Sequence, residues 1–266
     1  MPSGNDLELL GARDGEGRAI IDLQREAYPD IAAIPTGLDQ ARAFDIALAL
    51  AREQGFLQFL SYGTLMRGRA LVEQGQLAEG IAQLGQGLAS HAGLGIGLFR
   101  SRLLAWLAEA YGQIGQMDEG LAVLAEAQAH VERMGERFYE AELHRLQGEL
   151  TLQQGARDWG LGASSSSLQA PSLKAQVPMA VVEEAEGDFL KAIDIARQQH
   201  AKSLELRATM SLARLRQQQA RQAGFRKTNH ATRVRLAEAH HMLSEVYNWF
   251  TEGFDTKDLQ EAQALL

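Results

Sequence analysis

Apolar residues recur along this chain at the spacing of α-helices that pack on one side. In "LLAWLAEAYGQIG" (103–115) they fall at i, i+4, i+7 and i+11: Leu103, Leu107, Ala110 and Ile114. The following stretch "LAVLAEAQAHV" (121–131) keeps helical spacing as well. Because this spacing places the apolar side chains on one face of a helix, the pattern predicts two amphipathic helices joined by a short turn.

Glycines at a fixed interval predict that this helical hairpin is repeated. Gly75, Gly115 and Gly155 are forty positions apart, and each closes a helical stretch. A small residue lies seven positions before each of them: Gly68, Ala108 and Gly148. A single hairpin cannot bury its apolar face, whereas stacked hairpins can. We therefore predict an all-α, right-handed superhelix of helix pairs with a period of about forty residues.

A shift in this register predicts an insertion. The small residue expected at position 188 occurs instead at Ala213, twenty-five positions later. The apolar series of Leu84 and Leu124 continues at Phe189, displaced by the same amount. The segment 156–180 has that length, and its serines, prolines and glycines are typical of a loop or linker. One insertion at 156–180 therefore explains both displacements.

A second, shorter insertion and an irregular start complete the predicted organisation. Leu243 continues the apolar series in a fourth unit, after an insertion at about 221–234. Two prolines interrupt "REAYPDIAAIPTGLDQARAF", where a regular helix hairpin would not tolerate them. We therefore predict an irregular N-terminal segment over 1–38 and a repeat domain over 39–266.

The composition of the chain indicates the cellular compartment in which we expect the protein. The 266 residues include no cysteine, which excludes disulfides, thiolate zinc sites and cysteine nucleophiles and fits a reducing compartment. The chain has no run of apolar residues long enough to predict a transmembrane helix. Its start, "MPSGNDLELLGARDGEG", lacks the basic and apolar regions of a secretory signal. We therefore expect a cytoplasmic protein that makes no membrane contact.

Charge is distributed unevenly. The net charge is -8, yet the segment 197–235 contains ten basic residues and one acidic residue and carries +9, which leaves -17 for the rest. This basic segment is explained either by a solvated helix face with a loop or by a docking patch for an acidic partner or phosphate groups. The negative total argues against a nucleic-acid partner.

The motifs that would indicate an enzyme are missing. The dipeptide Gly-Lys does not occur, which excludes a P-loop nucleotide site. Glu238 and His241 form the one Glu-x-x-His pair that the sequence suggests, whereas a di-metal site in a helical bundle requires two. We therefore predict a non-enzymatic protein with no catalytic residues, no metal and no cofactor.

Residues of the second unit resemble the tetratricopeptide repeat (TPR): Leu107, Ala108 and Tyr111, then Gly120 and Leu124. Three further stretches resemble the C-terminal repeat region of bacterial ATPase-type regulators, many of them fused to class III adenylate cyclase domains. They are "GERFYEAELHRLQGEL" (135–150), "AIDIARQQHAKSLELRATMSLARLRQQQ" (192–219) and "WFTEGFDTKDLQEAQALL" (249–266). The resemblance covers about 40–266, and it implies a sensor or interaction platform whose catalytic domains lie elsewhere.

The TPR resemblance also implies where a partner would bind. The first helix of each repeat lines the concave face, and two positions of that helix supply polar residues. They correspond here to Tyr62, Arg102, Glu142 and Arg207, and to Arg69, Glu109, Glu149 and Arg214. Such a groove of mixed charge suits an extended peptide or a neighbouring domain.

The expected function is therefore a protein-protein interaction or sensor module, a scaffold within a cytoplasmic bacterial signalling regulator. Its expected partner is another protein, or an attached or associated catalytic domain. One alternative is a nucleic-acid-associated regulator that uses the basic segment 197–235. The other is a degenerate fragment of a cyclase or ATPase regulator with no independent function.

Overall fold

The described part of the chain is helical. In the computed structural model it comprises residues 40–159, 177–222 and 230–266, and these ranges contain no β-strand. The helices are α1 (Gln40–Glu53), α2 (Leu57–Glu73), α3 (Leu77–Gly93), α4 (Arg100–Gln113), α5 (Met117–Met134), α6 (Glu140–Asp158), α7 (Met179–Gln198), α8 (Lys202–Gln222), α9 (His230–Tyr247) and α10 (Lys257–Leu265). The all-α prediction is confirmed for these ranges. None of these helices combines the length and apolar character that crossing a bilayer requires.

Most of the segments predicted to be irregular lie outside the described residues. This holds for all of 1–38 and for the middle of both predicted insertions. The described ends of the insertions are partly helical, because α6 runs on to Asp158 and α7 begins at Met179. Likewise, α8 includes 221–222 and α9 includes 230–234. The helices therefore extend into both predicted insertions.

Packing divides the helices into two sets. Each helix packs against the next one along the chain, from α1 to α10. The even-numbered helices also pack against one another in order, from α2 to α10. Within the described ranges, the odd-numbered helices pack only against even-numbered ones. The even-numbered helices therefore form a continuous inner row.

The apolar series found in the sequence lies in the core. Leu84, Leu124, Phe189 and Leu243 are all at most 1% exposed. The first two belong to a cluster between α2 and α6, and the other two to a cluster between α7 and α10. Burying a side chain of this size stabilises the fold by about 1.5–3 kcal/mol, so these positions fix how the helices stack.

Small residues lie where paired helices cross, as the sequence predicts. A Cβ atom added to Gly68 would lie 2.9 Å from the backbone nitrogen of Leu84, and one added to Gly148 would lie 2.9 Å from the backbone oxygen of Ala185. Ala108, the middle member of the series, is fully buried. Only small side chains permit such close crossings of two helices.

Glycine turns follow a spacing of twenty positions. Six described glycines adopt a positive φ of 69–80°, which favours glycine because it has no Cβ. Gly253 is one of them, and the other five are spaced twenty positions apart: Gly55, Gly75, Gly95, Gly115 and Gly135. The turns predicted at Gly75 and Gly115 are therefore present. The turn between α7 and α8 instead uses His200, whose φ is 54°.

The turn predicted at Gly155 is wrong. Gly155 is buried inside α6, which continues to Asp158. A Cβ atom at this position would lie 2.8 Å from a methyl carbon of Val181 and 3.1 Å from one of Val177. Gly155 is therefore a close-packing position, where the start of α7 approaches α6.

Candidate interaction face

The eight residues predicted to line a groove lie on four helices that pack side by side. Each of α2, α4, α6 and α8 carries two of them, and these helices contact one another in that order. The residues are Tyr62, Arg69, Arg102, Glu109, Glu142, Glu149, Arg207 and Arg214. We call this set the polar face.

Arg69 and Glu109 link α2 to α4. The Nη1 atom of Arg69 donates to a Glu109 carboxylate oxygen at 2.5 Å, and its Nε donates to Glu73 at 2.8 Å. Burial disfavours the charged guanidinium, but the charges and hydrogen bonds of Glu109 and Glu73 together outweigh this cost and raise the pKa of Arg69. Both residues were predicted to face a groove, and they neutralise each other across the helix interface.

Arg102 and Tyr62 make a weaker contact between the same helices. The Nη2 atom of Arg102 donates to the Tyr62 hydroxyl at 3.4 Å, which is long for a hydrogen bond. The guanidinium carbon lies 4.8 Å from the ring centre of Phe99 and 5.0 Å from that of Trp106. These cation–π contacts, each worth about 0.5–2 kcal/mol, hold the side chain in place.

Glu142 is the centre of a buried ion network in α6. It is 3% exposed, and Arg145 donates to both of its oxygens at 2.8 and 2.9 Å. Arg145 also pairs with Glu149 at 2.5 Å, and the Ser211 hydroxyl of α8 donates to Glu149 at 2.7 Å. Burial alone would raise the pKa of Glu142, but the charges and hydrogen bonds of Arg145 and Arg207 together outweigh burial and hold the pKa below its usual range.

The last two arginines of the polar face connect α8 to α6 and α10. Arg207 lies 3.4 Å from Glu142 and donates to Asp258 at 2.6 Å. Arg214 pairs with Glu261 at 2.5 Å. Ion pairs and hydrogen bonds therefore join α2 to α4, α6 to α8 and α8 to α10 within the inner row. The polar face is a set of largely neutralised, fixed side chains.

The sequence prediction missed several members of this network. Arg145 could have been found, because Glu142, Arg145 and Glu149 stand at i, i+3 and i+7, the spacing at which charged side chains pair along a helix. Asp258 and Glu261 offer no local signal, because their partners lie about fifty positions earlier in the chain.

Most of the charge of the basic segment is compensated. Six of its ten basic residues pair with carboxylates: Arg197, Lys202, Arg207, Arg214, Arg216 and Arg235. Glu186 is buried and accepts from both Arg216 and Arg235. Arg226 and Lys227 lie outside the described residues. The structure of the basic segment therefore favours an ion-paired helix surface over a docking patch for phosphates.

Two surface depressions among the described residues lie away from the polar face. One is lined by Leu190, Lys191, Ile193, Asp194, Arg197 and Met242, and another by Gly135, Glu136, Arg137, Phe138, Gln199 and Ala201. Neither includes a residue of the polar face. Among the residues that the structure describes, no cluster of three or more His, Asp or Glu side chains is placed to hold a metal ion.

Comparison with known proteins adds no functional assignment. No protein-family model matches the chain, and no curated protein matches it either. The contacts and charges of the described residues, together with the resemblance of the sequence, are therefore the basis for a functional proposal.

Proposed function

We propose that this chain is a non-enzymatic interaction module whose polar face binds an extended peptide or a partner domain. The observation that carries this proposal is the set of ion pairs that joins α2 to α4, α6 to α8 and α8 to α10. Four helices that pack side by side carry these polar groups, and all eight residues except the buried Glu142 are at least partly exposed. An extended partner can follow such a surface and meet hydrogen-bonding groups at each helix.

The proposed architecture is a TPR-like superhelix with a period of about forty residues. Its support is the spacing of the glycine turns, from Gly55 through Gly95 to Gly135. The next turn between two repeats is at His200. Its distance from Gly135 along the chain equals one period plus the length of the predicted insertion at 156–180. In such a superhelix the even-numbered helices would line the concave side, and the polar face would be the wall of the groove.

Preorganisation explains how a surface of paired charges can bind a partner. A free charged side chain loses rotamer entropy when it is ordered, at a cost of about 0.5–1.5 kcal/mol. Side chains that are already held by ion pairs avoid much of this cost on binding. The polar face therefore favours partners whose polar groups match the positions in which ion pairs already hold its side chains.

On the basis of the sequence resemblance, we propose that this module belongs to a cytoplasmic bacterial signalling regulator. In this proposal the partner is an attached or associated catalytic domain, such as a cyclase or an ATPase. Binding would then act by a population shift, because a partner that favours one curvature of the helical stack biases the whole stack toward it.

Peptide selection tests the proposal. Twelve-residue peptides selected against the wild-type protein should bind the double variant Arg69→Gln/Glu109→Gln at least tenfold more weakly. Removing both charges avoids leaving one of them unpaired in the interface. The readout is the Kd measured by fluorescence anisotropy.

A matched control lies two positions away. Arg67 pairs with Asp45 of α1 and Glu79 of α3, on the outer side of α2. The double variant Arg67→Gln/Glu79→Gln removes a comparable ion pair and should change the Kd less than twofold. Equal losses in the two variants, or the absence of any enriched peptide, would contradict the proposed binding face.

A further inference from the structure

One of the two surface depressions lies where two turns of the chain meet. The turn between α5 and α6 supplies four of its lining residues and the turn between α7 and α8 supplies two: Gly135, Glu136, Arg137, Phe138, Gln199 and Ala201. The Nε2 atom of Gln199 donates to the backbone oxygen of Arg137 at 2.8 Å and so joins the two turns. We call this site the turn depression. Its volume of about 610 Å³ lies within the range of roughly 300–1,000 Å³ in which small ligands bind.

Two side-chain oxygens of the lining residues lack a hydrogen-bond donor. Oε1 of Gln199 is buried and has no partner among the described residues. The bond from Nε2 of the same amide to Arg137 fixes which way the amide points, so the unpartnered atom is the acceptor. In Glu136, Oε1 accepts from the backbone N–H and the hydroxyl of Ser101. Its Oε2 has no donor within hydrogen-bond distance in the described ranges, and Nε2 of His130 is 3.8 Å away. Both oxygens would gain from a ligand that donates hydrogen bonds.

The charges of the turn depression favour a cationic ligand. Glu136 contributes a carboxylate whose side chain is 14% exposed. Among the lining residues, all of which the structure describes, Arg137 is the one base. It donates to both carboxylate oxygens of Glu140, which neutralises it. One negative charge therefore remains at the site, and it balances a single positive charge on a ligand.

Phe138 adds an aromatic surface to the turn depression. Its ring centre lies 5.7 Å from that of Phe99 and 5.9 Å from that of Tyr139, so neighbouring rings hold it in place. The residue is nevertheless 42% exposed. An exposed ring in a fixed position can pack against an aromatic ligand and attract a nearby cation.

We propose that the turn depression binds a small aromatic amine as its ammonium ion. An ammonium group carries one positive charge and three N–H donors, which match the carboxylate of Glu136 and the unpartnered oxygen of Gln199. The aromatic body of the ligand packs against Phe138. This inference goes beyond the proposed binding of a peptide or domain, because the turn depression contains no residue of the polar face and takes a small molecule.

Nuclear magnetic resonance on the full chain tests this site. The probe is 2-phenylethylammonium chloride, which should shift the backbone amide resonances of Gly135 and Ala201 in a saturable way. Two twins of the probe separate its contributions. The neutral twin is 2-phenylethanol, and the second twin is trimethyl(2-phenylethyl)ammonium, which keeps the charge but has no N–H group. Each twin should bind about tenfold more weakly, because each loses the charge-assisted hydrogen bonds.

Variants separate a specific site from general charge attraction. Glu136→Gln removes the charge but keeps an oxygen that can accept from Ser101, and it should weaken binding of the ammonium probe about tenfold. Phe138→Leu keeps an apolar side chain but loses the aromatic face, and it should weaken binding about threefold. The control Glu132→Gln removes an exposed carboxylate four positions before Glu136 and should change the Kd less than about twofold.

Three results would overturn the inference. These are no saturable shift with the ammonium probe, equal affinity of either twin, and equal losses of affinity in Glu136→Gln and Glu132→Gln. The amide spectrum of Glu136→Gln shows whether that variant keeps the wild-type fold. If it does not, the two twins decide the matter, because their affinities are measured on the wild-type protein.

Discussion

At the scale of single residues, the buried carboxylate of Glu142 constrains how two helices of the inner row are oriented. It lies between Arg145 of its own helix and Arg207 of α8. A buried charge is tolerated only when its partners stay in place. Glu142 therefore ties the orientation of α6 to that of α8, in the middle of the proposed binding face.

Replacing Glu142 with Gln should destabilise the protein by about 3 kcal/mol, because it leaves Arg145 charged, buried and without its main partner. Urea unfolding at pH 7 measures the change. Lys257→Gln is the control, since that side chain is 87% exposed and makes only a 3.8 Å ion pair. A loss below about 1 kcal/mol for Glu142→Gln would contradict the assigned role.

The same carboxylate predicts a pH dependence. Burial would raise the pKa of Glu142 in the folded state, but Arg145 and Arg207 together outweigh burial and lower it. A glutamate with a lowered pKa contributes its full stability above its unfolded pKa of about 4.3, and it loses that contribution as the pH falls further. The difference in unfolding free energy between wild type and Glu142→Gln should therefore shrink below about pH 4.3. A difference that stays constant from neutral to acidic pH would exclude this linkage.

At the scale of helices, small residues decide how closely neighbouring elements pack. The sequence predicted the crossings at Gly68 and Gly148 because their spacing is regular and glycine is the smallest residue. It failed at Gly155, because glycine permits both a turn and a close crossing, and spacing alone does not distinguish them. The valines that approach Gly155 belong to the far side of the insertion, so no local pattern reveals the contact.

Two glycines of α3 give opposite predictions for substitution by alanine. A Cβ atom at Gly80 would lie 2.9 Å from the backbone oxygen of Gly68, so Gly80→Ala should force α2 and α3 apart and cost about 1–3 kcal/mol. Gly85 has nothing within 4 Å of its added Cβ, so Gly85→Ala should stabilise the helix by about 0.5–1 kcal/mol. Thermal unfolding of both variants measures the difference, and shifts of the same sign would contradict the packing described here.

At the scale of the whole molecule, residues far apart in sequence meet because equivalent helices stack in order. Arg69 meets Glu109 and Tyr62 meets Arg102, in both cases across forty positions of the chain. The sequence could predict that these positions share one face, because the repeat fixes their register. It could not predict that they pair with one another, since that depends on the separation and tilt of the stacked helices.

The central claim is that a partner binds along the even-numbered helices, and hydrogen–deuterium exchange with a bound, selected peptide tests it most directly. The odd-numbered helices serve as an internal control, because within the described residues they pack only against even-numbered ones. The predicted result is peptide-dependent protection of α2, α4, α6 and α8, with α3, α5, α7 and α9 unchanged. Protection confined to the odd-numbered helices, or spread equally over both sets, would contradict the proposed binding face.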